Sequence, residues 1–214
     1  MRSEIFWIAT RLGTIALEPG DLYWLTAASG AVHDERPDPK GARTHALQIF
    51  VNLPAKLKTE AAQSLHVPAG DMSILSGPGY RVRLALGRSG DVSGLKEVAQ
   101  DTTILDGTIG EAGRFAHRLP AGEAAWLYTV SGELLIEVDA ERGTVPAGSS
   151  VTVAAAENGA EIILGGAEMH FVLLESPPLR EPFVKHGPLV MSSLADVRRT
   201  LTDYAAGKFG KIAG

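Results

Sequence analysis

A histidine and a glutamate stand two residues apart at His33 and Glu35. On a β-strand this spacing places both side chains on one face, where an imidazole and a carboxylate can converge on a single cation. Taken alone, such a pair is more often a solvated pair at the junction of a loop and a strand. The chemistry of the pair therefore depends on the elements that surround it.

Other residues that could do chemistry also have structural interpretations. Asp21 and Glu35 could act as paired carboxylates in acid and base catalysis, but Asp21 ends a Pro-Gly-Asp turn, where its side chain is expected to accept local N–H groups. His45 could supply a third metal ligand, although it opens a predicted strand and is interpreted as structural. The remaining histidines fit no ligand spacing and are interpreted as structural or surface groups: His66, His117, His170 and His186.

Composition excludes several classes of function. The 214 residues suffice for two domains of about 100 residues each. A net charge of −5 and scattered basic residues argue against direct binding of nucleic acid. The absence of cysteine excludes disulfides, thiolate metal sites and a cysteine nucleophile. Neither a signal peptide nor an apolar run of about 18 residues is recognised, so we expect a cytoplasmic protein with no membrane partner.

The elements predicted around these residues are mostly β-strands. Turn phrases that combine proline and glycine recur at residues 19–21, 68–71, 120–123 and 146–149, and each favours a tight turn. Period-two alternation predicts strands at residues 46–51, 81–86, 125–130, 134–138 and 168–174. Strands this short and numerous are typical of barrels or sandwiches.

Only the C-terminal end is predicted to be helical. Ser193 can cap a helix, and Gly207 can end it. The residues expected on its apolar face, packed across a barrel, are Leu194, Val197, Leu201 and Tyr204. Strand signals restart at Phe115 after a polar region, so we predict a domain boundary near residues 110–113 that divides the chain into domains 1–111 and 112–214.

The two predicted domains show a weak internal repeat. The sequence Gly-Thr-Ile at 13–15, followed by Gly20, aligns with Gly-Thr-Val at 143–145, followed by Gly148. A duplicated barrel explains this repeat. In the second copy a strand, a turn and a strand precede the repeated segment, whereas counting back from Gly20 reaches that turn near Glu4. The first barrel is therefore expected to begin partway through.

The sequence PGDLYWLTA stands at residues 19–27, and GAVHDE follows at 30–35. Together they resemble the second cupin motif of the pirin family. The resemblance continues through HALQIFVNLP at 45–54 and EPFVKHGPLVM at 181–191, although glycine and tryptophan are more usual where Ala46 and Phe50 stand. It implies a mostly β protein of two cupin-type antiparallel β-barrels, a bicupin, with a C-terminal helix that folds back to support the other barrel.

The resemblance also implies a metal site. Pirins bind one metal in the N-terminal barrel, Fe2+ or another divalent ion, through a His-x-His pair and a later His-x-Glu pair. His33 and Glu35 match the second pair, while the first pair would fall before Met1, so the site is expected to be incomplete. In the second barrel the repeat assigns the ligand positions to side chains that are not strong ligands, and we expect no metal there: Trp126, Tyr128, Ile162 and Leu164.

Three hypotheses about function follow. The chain is a binding or regulatory module with an incomplete metal site, which could accept a small aromatic ligand. Alternatively, it is a metal-dependent dioxygenase acting on flavonols such as quercetin, as the resemblance implies for some bacterial pirins. The third hypothesis is a partial gene product whose start lies upstream.

A missing strand would leave unpaired N–H and C=O groups on the first barrel, so we expect a partner subunit, in a homo-oligomer, or the C-terminal segment to cover that edge.

Overall fold

The computed structural model describes residues 6–38, 44–94 and 101–212, and the chain divides into two compact units. Unit 1 comprises Met1–Ala69 and Leu179–Gly214, and unit 2 comprises Gly70–Pro178. The turn expected near Glu4 lies outside the described residues.

Unit 1 begins with five strands: β1 (Phe6–Thr10), β2 (Gly13–Leu17), β3 (Leu22–Thr26), β4 (His33–Pro37) and β5 (Gln63–Val67). Strand β1 pairs with β2 and with β4 in an antiparallel sheet of three strands, and β3 pairs with β5. Ile8 and Thr10 of β1 are buried, and they pair with Glu35 and His33 of β4. The sheet therefore positions the candidate site.

The strand predicted at residues 46–51 does not form. Residues 44–54 are irregular, and Phe50 is 74% exposed. A strand is stable only where a neighbouring strand pairs with its backbone, and no strand of the described chain pairs with this segment. His45 therefore opens no strand.

Unit 2 contains twelve strands among its described residues. They are β6 (Ser73–Gly77), β7 (Tyr80–Leu86), β8 (Arg88–Ser89), β9 (Val92–Ser93), β10 (Thr103–Ile109), β11 (Arg114–Leu119), β12 (Ala124–Ser131), β13 (Glu133–Val138), β14 (Glu141–Pro146), β15 (Ser150–Ala154), β16 (Ala160–Gly165) and β17 (Met169–Ser176). They confirm four strands predicted from the sequence, which correspond to β7, β12, β13 and β17.

Two antiparallel sheets enclose the core of unit 2. One has the strand order β15-β12-β17-β10-β7-β6 and the other β11-β16-β13-β14. Both contribute to one apolar core, in which Phe115 of the second sheet and Phe171 of the first stack at 6.1 Å. This division of the chain differs from the predicted one at 111/112, because β10 pairs with β7 and with β17 and so joins residues 70–111 to the strands that follow.

The C-terminal segment groups with unit 1, which agrees with the expectation that it folds back. It contains β18 (Val184–His186), β19 (Leu189–Met191) and the helix α1 (Leu194–Ala205). The predicted cap is confirmed, since Ser193 Oγ accepts the Asp196 N–H at 3.1 Å, and Gly207 follows the helix with φ of +73°.

The predicted apolar face of α1 is wrong for three of its four residues. Val197 is buried together with Thr200, whereas Leu194, Leu201 and Tyr204 are exposed. At about 100° per residue Leu194 and Leu201 lie on one flank of the stripe formed by Val197 and Thr200, whereas Tyr204 lies in line with that stripe, in the last turn of the helix. Among the described residues, no helix is both long and apolar enough to cross a membrane.

Candidate functional site

The structure brings His33 and Glu35 together at the start of β4. His33 Nδ1 lies 3.0 Å from Glu35 Oε1, and the same oxygen accepts a hydrogen bond from Gln48 Nε2 at 3.0 Å. The two side chains are 36% and 29% exposed. His33 and Glu35 therefore lie on one face of β4, as their spacing predicted, and this face is accessible to a small ligand.

The donor set does not fit a complete iron site. A non-haem iron site of the facial type needs two histidines and a carboxylate. The strand beside His33 and Glu35 offers Thr10 and Ile8, and the Thr10 hydroxyl instead accepts the Leu12 N–H at 3.0 Å. Within residues 6–38, 44–94 and 101–212, no three His, Asp or Glu side chains are grouped to hold a metal.

Asp21 has a structural role in unit 1, as its turn predicted. Its carboxylate accepts the Glu18 N–H at 3.0 Å and the Ala69 N–H at 2.8 Å, and it lies 2.8 Å from His66 Nε2. Burial would raise the pKa of Asp21, but the hydrogen bonds from His66, Ala69 and Glu18 outweigh it and hold that pKa below its usual value. Asp21 is thus charged at neutral pH and joins its turn to β5.

We expect Asp21→Asn to destabilise the protein by about 1–3 kcal/mol at pH 7, because the amide cannot accept all three hydrogen bonds. Since the folded state lowers the pKa of Asp21, its contribution is complete above about pH 4 and is lost as the pH falls through the folded pKa. Urea unfolding at pH 7 and at acid pH measures this, and the variant should show a shallower loss of stability in acid.

The control for Asp21→Asn is Asp71→Asn, at an exposed aspartate in unit 2. Its effect should stay within about 0.5 kcal/mol. Equal effects of the two substitutions would contradict the structural role of Asp21.

Unit 2 contains a buried polar cluster that the sequence did not reveal. Ser89 Oγ lies 2.9 Å from His117 Nδ1, and His117 Nε2 bonds to the Glu175 carboxylate. All three residues are at most 5% exposed. These are the residue types of a hydrolytic triad, but the buried serine leaves no path for a substrate, so the cluster is structural.

The buried cluster also affects the pKa of a nearby carboxyl group. Burial raises the pKa of Glu123, and the negative charges of Glu175 and Asp101 raise it further, while His117 opposes them. Glu123 therefore binds a proton more readily than an exposed glutamate does.

A second histidine of unit 2 is half-exposed. His170 Nε2 bonds to Asp106, whose carboxylate also pairs with Arg83. Burial would raise the pKa of Asp106, but the bonds from His170 and Arg83 hold it below its usual value. The carboxylate orients the imidazole of His170, and no nucleophile among the described residues bonds to that ring.

The interior of unit 2 is filled by apolar side chains. Ile162 and Leu164 are fully buried there, as the repeat predicted. Trp126 and Tyr128, which the repeat assigns to ligand positions, do not face this interior. Alternate residues of β12 are buried, from Ala125 to Thr129, and the two aromatic rings lie on the opposite face, stacked at 5.7 Å.

Comparison with known proteins gives a consistent result. The pirin C-terminal cupin domain matches residues 104–210. Over 197 residues the chain is 31% identical to a provisionally named quercetin 2,3-dioxygenase of Pseudomonas aeruginosa, and the match covers 89% of this chain and 68% of that protein. The pirin of Mus musculus is 29% identical over 198 residues, which cover 91% of this chain and 67% of that protein.

A solved structure supports the predicted fold class. A quercetin 2,3-dioxygenase from Acinetobacter baumannii superimposes with a TM-score of 0.82 over 99% of this chain and 75% of that chain, at 22% identity. At this identity the likeness shows the fold alone. A mostly β fold of the cupin type with a C-terminal helix is thereby confirmed.

Proposed function

Because the chain belongs to the pirin family, we propose that it is a cupin protein with an incomplete metal site that serves as a binding or regulatory module. The donor set at His33 and Glu35 carries this proposal. The two side chains bond to each other, Gln48 bonds to the same carboxylate oxygen, and the described residues supply no third donor. Two donors would leave most coordination positions of a divalent iron to water.

The ligand that we propose is a small planar aromatic molecule. The name of the relative that is 31% identical, a quercetin 2,3-dioxygenase, supports this class of ligand. The interior of unit 2 is packed, so we place the ligand in unit 1, where the His33 side chain is open to solvent.

We further propose a cytoplasmic protein that binds no nucleic acid directly, and a homo-oligomer that pairs through β2 or β4, the outer strands of the sheet in unit 1.

A metal-dependent quercetin 2,3-dioxygenase is the second candidate, and the same relative favours it. In that enzyme Fe2+ or another divalent metal would activate the substrate and dioxygen. His33 and Glu35 would be two of its ligands, and the remaining donors would have to come from outside the described residues.

We expect the purified 214-residue chain to contain far less than one iron per chain and to show no metal-dependent oxygen uptake with quercetin. It should nevertheless bind quercetin without turnover. His33→Ala should change stability more visibly than any activity, by up to about 1 kcal/mol, because its contact with Glu35 is partly exposed. Metal analysis, an oxygen electrode and fluorescence titration under nitrogen measure these quantities.

The matched control is His45→Ala, at an exposed histidine of the same unit. Iron near one equivalent, with quercetin-dependent oxygen uptake that His33→Ala abolishes and His45→Ala preserves, would restore the dioxygenase. Failure to bind quercetin at all would contradict the proposed ligand class.

A further inference from the structure

The C-terminal tail places an aromatic ring against the turn that precedes His33. Helix α1 ends before Gly207, and Phe209 then folds back until it is only 8% exposed. Its ring lies directly over Gly30, where a Cβ would overlap three of the ring carbons. Gly30 has φ of +141°, a region that favours glycine. The backbone at residue 30 thus forms one wall of a cradle for an aromatic ring.

Tyr204 forms another wall of this cradle. Its ring centroid lies 5.7 Å from that of Phe209, with the two planes tilted by 49°. Tilted aromatic pairs at this distance attract each other beyond their area of contact. We call the space between Gly30 and Tyr204 the aromatic cradle.

The aromatic cradle lies beside the candidate site. Gly30 stands three residues before His33. The tail also approaches Arg11, whose Cδ would lie 3.1 Å from a Cβ at Gly210, and Arg11 follows the residue that pairs with His33. Both contacts of the tail therefore lie at the end of the β1–β4 pair where His33 is exposed.

The tail is held to the strands chiefly by its ring. Three backbone N–H groups of residues 207–210 donate to the helix or to the tail itself: Gly207 N to Tyr204 O, Lys208 N to Asp203 O and Gly210 N to Gly207 O. The Lys208 ammonium also pairs with Asp203 of the helix, at 2.7 Å. Displacement of the tail by another aromatic ring would therefore break bonds of the tail to the helix and to itself, and none of these backbone bonds joins the tail to the strands.

We propose that the aromatic cradle is a binding site for a planar aromatic ligand and that Phe209 occupies it as an intramolecular competitor. The proposal rests on the proposed binding function. It names the site at which the ligand binds and the residue that regulates binding. A competitor tethered by a few residues acts at a high effective concentration. The apparent affinity for a free ligand is then reduced by the fraction of molecules in which the ring has left the cradle.

The test compares quercetin affinity in the full chain and in variants at Phe209. Phe209→Ala should bind quercetin at least about tenfold more tightly than the wild type, because the cradle is then permanently free. Phe209→Leu, a smaller competitor without a ring, should give a gain of about threefold. Phe183→Ala, which removes a 59% exposed phenylalanine of the same unit, should leave the affinity unchanged.

Two further measurements connect the ring to the cradle. In the wild type, quercetin should speed amide hydrogen exchange in residues 207–212, because it displaces the tail. Adding Tyr204→Ala to Phe209→Ala should reduce the gain in affinity, since it removes the ring that forms the other wall of the cradle. Circular dichroism checks that each variant folds, and Phe209→Leu serves if the alanine variant does not.

Failure of the proposed binding function and failure of the competitor role of Phe209 give different results. If neither the wild type nor any variant binds quercetin, the proposed ligand class fails. If the wild type and all variants bind quercetin equally and amide exchange in the tail does not change, the binding function is supported. The proposal that Phe209 competes with the ligand is then contradicted.

Discussion

Removing either partner of the buried His117–Glu175 pair should destabilise the protein by about 3–5 kcal/mol, because the remaining polar group stays buried without its partner. His117 is 2% exposed and Glu175 5%, so bulk water contacts neither group appreciably in the folded protein. The pair also joins β11 of one sheet to β17 of the other. We therefore expect His117→Ala and Glu175→Ala to be among the most destabilising changes on polar residues.

Urea unfolding of His117→Ala, Glu175→Ala and the double variant measures this effect. The double variant should lose clearly less than the sum of the single variants, because the second substitution removes a group that has already lost its partner. Arg199→Ala is the control, since the Arg199 side chain is 55% exposed, and it should change stability by less than about 1 kcal/mol. A loss below about 1 kcal/mol for both single variants at the buried pair would show that water or rearranged side chains satisfy the cluster.

Local patterns predicted local structure in this chain. Alternating apolar residues gave strands β7, β12, β13 and β17, and a serine before an apolar segment marked the start of α1. The two-residue spacing of His33 and Glu35 predicted their shared strand face. In each case the interacting groups are close in sequence, so their geometry follows from the backbone alone.

These local patterns could not predict contacts between residues that are distant in sequence. His117 and Glu175 are 58 residues apart, and nothing in the spacing of either residue indicates the other. The segment 46–51 has the alternation of a strand, but a strand also needs a partner, which the local sequence does not specify. The grouping of residues 70–111 with unit 2 likewise depends on the pairing of β10 with β17.

The faces of elements were predicted less well than the elements themselves. Because side chains on a strand alternate, a shift of one residue in an alignment moves every side chain to the other face. The weak repeat contained such a shift at Trp126 and Tyr128, whose neighbour Leu127 is the residue in the core. The face of α1 is less buried than predicted, since Leu194 and Leu201 lie on the flank of the stripe formed by Val197 and Thr200, and Tyr204 is exposed in the last turn.

The last prediction uses this alternation in β13, where two leucines are adjacent in sequence and lie on opposite faces. Leu134 is fully buried, whereas Leu135 is 48% exposed. Leu134→Ala should destabilise the protein by about 2–5 kcal/mol, because it leaves a cavity in a packed core. Leu135→Ala should stay within about 0.5 kcal/mol. Urea unfolding of the two variants makes the comparison, and equal losses would contradict the assignment of the faces.

Leu134→Ala also tests where the ligand binds. Among the described residues of unit 2, Leu127, Ile162 and Leu164 are fully buried in one packed core, and no space for a molecule the size of quercetin remains between these side chains. If the ligand binds in unit 1, Leu134→Ala should leave quercetin affinity unchanged under conditions where the variant is folded, although its stability falls. A change in affinity with Leu134→Ala and none with Phe209→Ala would place the ligand in unit 2 and contradict both the packed interior and the aromatic cradle.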